Sequence, residues 1–224
     1  VIGGSLAGSA AACALARTGA RVVVLEKARF PRDKVCGCFL SHEAFPVLAR
    51  MGFGEELRKN GAETITHFRL ARRDGTAVEA QLPKPVMSVS RSCLDSLAAG
   101  AAERAGAEMR FGATVLSLEG DLQGGFRIKG PGWELRAHAA VGAWGRYSPL
   151  DGRLGRTFIR RKSPLFGFGK VLVGNGERLA NRAVLHFLEG GYLGLSRVEK
   201  GLINLAGLVN ATVARRAHSS FEEL

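Results

Sequence analysis

Long apolar runs are missing from this sequence. The longest, such as Val22-Val23-Val24-Leu25, fall far short of the roughly 20 residues that cross a bilayer, and no basic-then-apolar leader with a small-residue cleavage site precedes them. These absences lead us to expect a cytoplasmic protein. Cysteine is scarce: four residues, at positions 13, 36, 38 and 93, three of them in or beside apolar segments. That is poor material for a disulfide framework and agrees with a reducing compartment. CxxC spacing is absent, and Cys36-Gly37-Cys38 has no matching Cys or His pair elsewhere, so no metal site is expected. Acidic residues are few, 20 against 32 Lys and Arg, and the resulting +12 net charge favours anionic partners: phosphorylated cofactors, acidic carrier domains or, by peripheral contact, acidic membrane surfaces. The densest basic group, Arg153, Arg156, Arg160, Arg161 and Lys162, lacks interleaved aromatics, so no nucleic-acid partner is expected and a solvated basic face is.

What is present fits a soluble, turn-rich α/β chain. Its 224 residues are 46% hydrophobic with 30 glycines and 7 prolines, enough for one sizeable core or two modest ones. Val1-Ile2, a glycine turn, "SAAACALARTG" with small apolar residues at helical spacing, and "ARVVVLEK" spell strand, turn, helix, strand. Gly19 stops the helix, and the unbroken apolar character of "RVVVLE" suits a buried parallel strand. After the loop "RFPRDKVCGCFLS", a helix capped by Ser41 is limited or kinked by Pro46. Asp74-Gly75 centres a hairpin in "THFRLARRDGTAVEAQL", because Asp-Gly supplies the positive φ angles of tight hairpin turns. "SRSCLDSLAAGAAERAG" is helical with Leu94, Leu97 and Ala101 on one face, followed by "AEMRF" and an antiparallel meander at 113–119, 125–129 and 133–138. "AAVGA" rejoins the main sheet. Beyond "WGRYSPLD" come only glycine-punctuated strands, "LFGFGKVLVG", "AVLHFLEGGYLGLSRV" and "GLINLAGLV". The chain opens without Met and stops at "SSFEEL", a first helical turn with Ser220 as cap, which reads as a fragment.

The opening turn resembles a dinucleotide-binding fingerprint with one glycine replaced. In that fingerprint the first glycine makes the sharp turn, the second lets the backbone approach a pyrophosphate, and the third packs helix on strand. Gly3 and Gly8 take the first and third roles. Ser5 takes the second, where its small hydroxyl can donate to a phosphate oxygen, while the helix N-terminal amides supply the main attraction. Glu26, ending the second strand, is placed to accept from a ribose hydroxyl and repels a 2′-phosphate there. A structural turn and a solvated strand end are the bland alternatives; the strand–turn–helix–strand–acid order favours a nucleotide cofactor.

Four separated pieces carry a more specific likeness: "VIGGSLAGSAAACALARTGARVVVLEK", "FPRDKVCGCFLS", "VSRSCLDSLAAGAAERAGAE" and "VGAWGRYSPLD". Together they resemble the FAD-dependent oxidoreductases of the para-hydroxybenzoate hydroxylase type, closest to the geranylgeranyl reductase and flavin-dependent halogenase branch; "GGYLGLSRVEKGLINLAGLV" is similar to a substrate-domain segment of that branch. The resemblance implies an α/β fold, a Rossmann-like FAD-binding layer with a β-meander plus a mainly antiparallel β substrate layer. It divides the chain into a first part of the FAD-binding domain (1–63), a hairpin toward the substrate layer (64–84), the second part of the FAD-binding domain (85–150) and an incomplete substrate-binding β domain (151–224). It implies cofactor contacts from Gly3, Gly4, Ser5, Leu6, Ala7 and Gly8 around the pyrophosphate, Glu26 and Lys27 at the adenosine ribose, the Lys34, Cys36 and Gly37 loop toward the flavin, Arg91 near the pyrophosphate or ribityl chain, and Gly145. Two departures stand out. The family commonly has Asp-Gly where this chain has Ala143-Trp144-Gly145-Arg146, so Trp144 is expected to pack, and the later Gly-Asp motif has no counterpart before residue 224.

The implied activity is an FAD-dependent oxidoreductase that uses NAD(P)H and acts on a bulky apolar or carrier-bound small molecule, by alkene reduction or by monooxygenation or halogenation. The alternative is a truncated, non-catalytic flavin-binding module; a plain NAD-dependent dehydrogenase leaves the Cys36 loop and the Arg91 helix without a role. No catalytic acid or base is identified. His186 reads as a core histidine, His42 as exposed, and Tyr192 and Glu199 as surface, packing or substrate-facing residues.

Overall fold

A computed structural model of the protein describes residues 1–146, 148–160 and 163–216. In chain order the elements are α1 (Leu6–Ala16), β1 (Val23–Glu26), β2 (Phe39–Leu40), α2 (Phe45–Met51), α3 (Gly54–Lys59), β3 (Glu63–Ala71), β4 (Ala77–Ser88), α4 (Arg91–Arg104), β5 (Glu108–Phe111), β6 (Ser117–Asp121), β7 (Gly125–Gly130), β8 (Trp133–Ala137), α5 (Pro149–Arg153), β9 (Leu165–Leu172), β10 (Arg182–Leu188), β11 (Gly191–Arg197), β12 (Ile203–Asn210) and α6 (Ala211–Arg216). They form two compact units. The expected helix start at Ser220, and Arg161 and Lys162 of the basic group, lie outside the described residues.

The first unit comprises Val1–Arg32, Arg50–Phe53 and Ser92–Lys162. Its central layer is parallel: β1 pairs with β5 from Val23 opposite Glu108 to Glu26 opposite Phe111, and Ile2 bridges Leu25 on one side and Gly142 on the other. The strand expected at "AAVGA" is thus a single bridge, closed by hydrogen bonds from Ile2 N to Val141 O (2.9 Å) and from Ala143 N to Ile2 O (2.8 Å). The apolar run of β1 follows from this placement, since a parallel layer is covered on both faces; Val24 and Leu25 are buried. Helix α1 lies close to β1 because it turns small residues inward, Gly8, Ser9, Ala12 and Cys13. Gly19, at φ +83°, ends the turn that follows it, with its N–H donating to Ala16 O. The antiparallel sheet β6–β7–β8 supplies Ile128 to a core with Ile2, Leu25 and Leu150, against which Phe126, Trp133, Leu135 and Trp144 pack. Each such large side chain contributes about 1.5–3 kcal/mol by leaving water. On α4 the buried face is Leu94, Asp95, Ala98, Ala99, Ala101 and Ala102, while Leu97 is only half-buried.

The second unit comprises Asp33–Ala49, Gly54–Arg91 and Ser163–Leu224. Its sheet has seven strands in the order β2-β4-β3-β10-β11-β12-β9. The Asp74-Gly75 hairpin forms as its chemistry predicts: Gly75 sits at φ +88° and Asp74 Oδ1 accepts from Thr76 N at 2.9 Å. The stretch read as "AVLHFLEGGYLGLSRV" is two strands, β10 and β11, folded back at Glu189-Gly190 with Gly190 at φ +66°. One pairing is parallel, β3 with β10, Arg182 opposite His67 through His186 opposite Ala71. The sheet is therefore mixed, with every other neighbouring pair antiparallel. Gly207 is required where β11, β12 and β9 meet, since a Cβ there would lie 2.3 Å from Tyr192 O and 2.6 Å from the Phe168 ring. Two apolar clusters fill the unit: Ile65, Val86 and Ala183 with Phe68 and Leu82, and Phe168, Val209 and Ala214 with Leu188, Leu193, Leu205 and Val213.

Two helix expectations need correction. Ser41 is extended and makes no side-chain cap. Pro46 falls in the first turn of α2, where a missing N–H breaks no helical hydrogen bond, so it starts the helix instead of kinking it.

Candidate nucleotide-binding site

In the first unit the chain leaves Ile2, turns through Gly3-Gly4 and enters α1. Gly3 is at φ +101°, and a Cβ on it would stand 2.3 Å from Ala143 O. A Cβ on Gly8 would stand 1.8 Å from Gly3 O. Both glycines are fixed by contact with the backbone itself, which brings the start of α1 down onto the strand layer. The first intrahelical bond here runs from Ser9 N to Ser5 O at 2.8 Å. Helix geometry leaves the N–H groups of Leu6, Ala7 and Gly8 without intrahelical acceptors, at the positive end of the helix dipole. No acidic side chain occupies that first turn.

Glu26 closes the other side of this turn. It is buried, its Oε2 accepts from Gly4 N at 2.7 Å, and its Oε1 accepts from Ala28 N at 2.9 Å. Gly4 is the glycine whose role the fingerprint does not state: a Cβ there would press on Glu26 Cβ at 3.0 Å. Arg32 Nη2 lies 3.7 Å from Glu26 Oε1, the guanidinium sits 5.6 Å from the Phe30 ring centroid, and the buried Arg32 Nε has no hydrogen-bond partner. Lys27 is exposed beside Glu26 in sequence, and Gly145, at φ +74°, is exposed with open space around its Cβ position.

Ser5 does not point its hydroxyl proton outward as expected. Its Oγ donates to Asp95 Oδ2 at 2.7 Å, and Asp95 is fully buried on α4. Asp95 and Arg32 are the residues sequence reading passed over here. Asp95 carried a readable signal, a carboxylate in the middle of the apolar face of a helix. Trp144, which replaces an acidic residue of the family pattern, packs as expected: its Nε1 donates to Asp151 Oδ1 at 3.1 Å and Arg156 lies 5.3 Å from its ring.

The second unit holds the other predicted contacts, Lys34, Cys36, Gly37 and Arg91. Asn204 Nδ2 donates to Cys36 O at 3.0 Å, and Val89 N donates to Cys38 O at 3.0 Å, pinning the loop at both ends. Cys38 N approaches Cys36 Sγ at 3.4 Å. The hydrogen bond from the Cys38 side chain, helped by the Cys38 N–H and by Arg91, lowers the Cys36 thiol from 9.0 to about 5 against the opposing effect of burial. The Cys38 thiol is correspondingly raised, by its hydrogen bond to Cys36, by burial and by the Cys36 charge. Glu199 is buried and accepts from both the N–H (2.9 Å) and the hydroxyl of Ser90, so it serves packing. His42, expected to be exposed, is half-buried against Phe45 with ring centroids 5.4 Å apart. His186 and Tyr192 are half-buried on β10 and β11. Among the described residues no group of three or more His, Cys, Asp or Glu could hold a metal ion, and no helix is long and apolar enough to cross a membrane.

A nucleotide diphosphate fits the first-unit turn on three counts: glycines whose Cβ atoms would collide with the backbone, orphan helix amides for phosphate oxygens, and a buried carboxylate for a ribose hydroxyl. Comparison with known proteins points the same way. Residues 1–190 match the model of an FAD binding domain. The chain is 35% identical over 170 residues to a menaquinone reductase of Mycobacterium tuberculosis, covering 71% of this chain and 40% of that protein. It is 30% identical over 161 residues to a 6-methylpretetramide 4-monooxygenase of Streptomyces rimosus, covering 67% and 38%. Its fold matches the crystal structure of halogenase PltM with a TM-score of 0.78 at 19% identity, over 94% of this chain and 51% of that one. The chain thus spans well under half the length of the curated relatives it matches.

Proposed function

Because the chain belongs to the FAD binding domain family, we propose that it is the FAD-holding part of an NAD(P)H-dependent oxidoreductase that reduces a bulky apolar alkene or quinone-type substrate. The observation that carries the reading is the buried Glu26 carboxylate, locked by Gly4 N and Ala28 N behind the amide-lined start of α1. Leu6, Ala7 and Gly8 N–H groups would hold the pyrophosphate, Gly3 and Gly8 would keep side chains out of its way, and Glu26 would take the adenosine ribose. The partnerless Nε of Arg32, beside Glu26, offers a further donor on that side. In the second unit the family resemblance names Arg91 and the Lys34, Cys36 and Gly37 loop as further cofactor contacts, where Arg91 and Lys34 would bring positive charge and Cys36 and Gly37 little bulk. FAD itself supplies hydride transfer between NAD(P)H and substrate.

The reductive reading is favoured by the 35% identity to a protein named a menaquinone reductase. Monooxygenation is favoured by the 30% identity to a 6-methylpretetramide 4-monooxygenase. Expression of the chain with its natural continuation, followed by NADPH oxidation assays with menaquinone under argon and in air, separates them. Oxygen-independent oxidation coupled to quinone reduction is expected. Turnover only in air, with peroxide or hydroxylated product, would overturn the reductase assignment. A colourless protein that takes up no FAD would overturn the cofactor reading itself.

A further inference from the structure

We propose that Cys36 and Cys38 form a reversible dithiol–disulfide pair that reacts with hydroperoxides, Cys36 attacking and Cys38 resolving. Three observations carry this. The two sulfurs belong to residues separated only by Gly37, which is exposed and has no atom within 4 Å of its Cβ position, so the backbone between them has room to move. Cys38 adopts φ +55°, a left-handed conformation uncommon for a side chain of its kind, and this folds its N–H back to within 3.4 Å of Cys36 Sγ. The pair is also differentiated: Cys36 is half-buried, whereas Cys38 is 5% exposed. Arg91 acts on both residues, through its side chain on Cys36 and through its backbone on Cys38, and the Glu199 charge acts more weakly on Cys38. The Arg91 side chain, hydrogen-bonded to Cys36, favours the thiolate there, while the hydrogen bond with Cys36 and burial keep Cys38 protonated, which suits a nucleophilic thiolate next to a protonated partner.

The chemistry balances as follows. The Cys36 thiolate attacks the terminal O–H oxygen of a hydroperoxide; the O–O bond breaks, the alkoxide (hydroxide, from hydrogen peroxide) leaves and takes up a proton from water, and Cys36 becomes a sulfenic acid. The Cys38 sulfur then attacks Cys36 Sγ; the S–O bond breaks and water leaves, carrying the Cys38 proton. Two electrons pass from the dithiol to the peroxide, and an external dithiol reverses the reaction. No step depends on FAD being bound.

The test is peptide mass spectrometry of the purified protein after treatment with one equivalent of hydrogen peroxide. The tryptic peptide spanning 35–50 is expected to lose two hydrogens and to regain them with dithiothreitol. In Cys38→Ser the same treatment should stop at a sulfenic acid on Cys36 that dimedone traps, and Cys36→Ser should not react in this peptide. Iodoacetamide at pH 6 should alkylate Cys36 about tenfold faster than Cys93. Oxidation to sulfinic acid without loss of two hydrogens, or the same alkylation rate for Cys36 and Cys93, would overturn the proposal. The wild-type mass measurement needs no variant to fold.

Discussion

Replacing Glu26 by Gln keeps its size and removes its charge, and the structure says what this should cost. The two carboxylate oxygens accept from two different backbone donors, Gly4 N at 2.7 Å and Ala28 N at 2.9 Å. A carboxamide has one oxygen, so whichever way it turns, its NH2 faces an N–H. Leaving one buried donor unpaired costs about 1–3 kcal/mol, and the residue is 3% exposed, so water does little to relieve it. The apo protein should lose that much in urea unfolding with an unchanged m-value. FAD binding should suffer separately, because the ribose would lose a hydrogen bond to a charged acceptor, worth about 1.5–3 kcal/mol, or about 10- to 150-fold in affinity. Flavin fluorescence titration at saturating apo-protein stability reads the second effect. An E26Q variant that binds FAD as tightly as the wild type would refute the assignment of Glu26 to the ribose, whatever its stability.

Further expectations follow from the same geometry. Gly8→Ala places a Cβ 1.8 Å from Gly3 O, an overpacking of at least about 1–3 kcal/mol, and should cost both urea midpoint and bound flavin; Gly174→Ala, whose added carbon would meet only Ile203 Cδ1 at 3.9 Å, serves as the near-neutral control. Ser5→Ala removes one donor to the buried Asp95 carboxylate and should destabilise by about 1.5–3 kcal/mol, the worth of a hydrogen bond to a charged group, measured by thermal unfolding. Cys36 has a folded pKa depressed from 9.0 to about 5, so its stabilisation is fully present above the unfolded value and is lost as pH falls through about 5. Stability of the wild type relative to Cys36→Ser should therefore climb between pH 5 and 9; Cys38, raised in the fold, should reverse the trend above that range. A flat difference across pH 5–9 would contradict the thiolate at Cys36.

Much of this was legible because local chemistry decided it. The glycine turn, the small-residue face of α1, the unbroken apolar β1 and the Asp74-Gly75 hairpin each announce their conformation within a few residues. The start of α1 and the acid at Glu26 were readable for the same reason. What stayed hidden depends on partners far away in sequence: the parallel seam of β3 with β10, the hydroxyl of Ser5 committed to Asp95 ninety positions on, and Glu199 drawn in by Ser90. Arg32 was invisible because an arginine in a loop has no periodicity to mark it, and Gly4, named by the family resemblance as a cofactor contact, carries no local sign of the contact with Glu26 that keeps it glycine. Cys38 stood in the sequence only as half of a pair without matching metal ligands, and nothing local announced the positive φ angle that sets which way its backbone faces.

The central claim is that the first-turn amides of α1 take a flavin pyrophosphate. Hydrogen exchange measured residue by residue, with and without FAD, tests it most directly. Exchange at Leu6, Ala7 and Gly8 should slow markedly when FAD is added, while exposed amides such as that of Gly75 are unchanged. FAD that binds without altering exchange at those three positions would contradict the account.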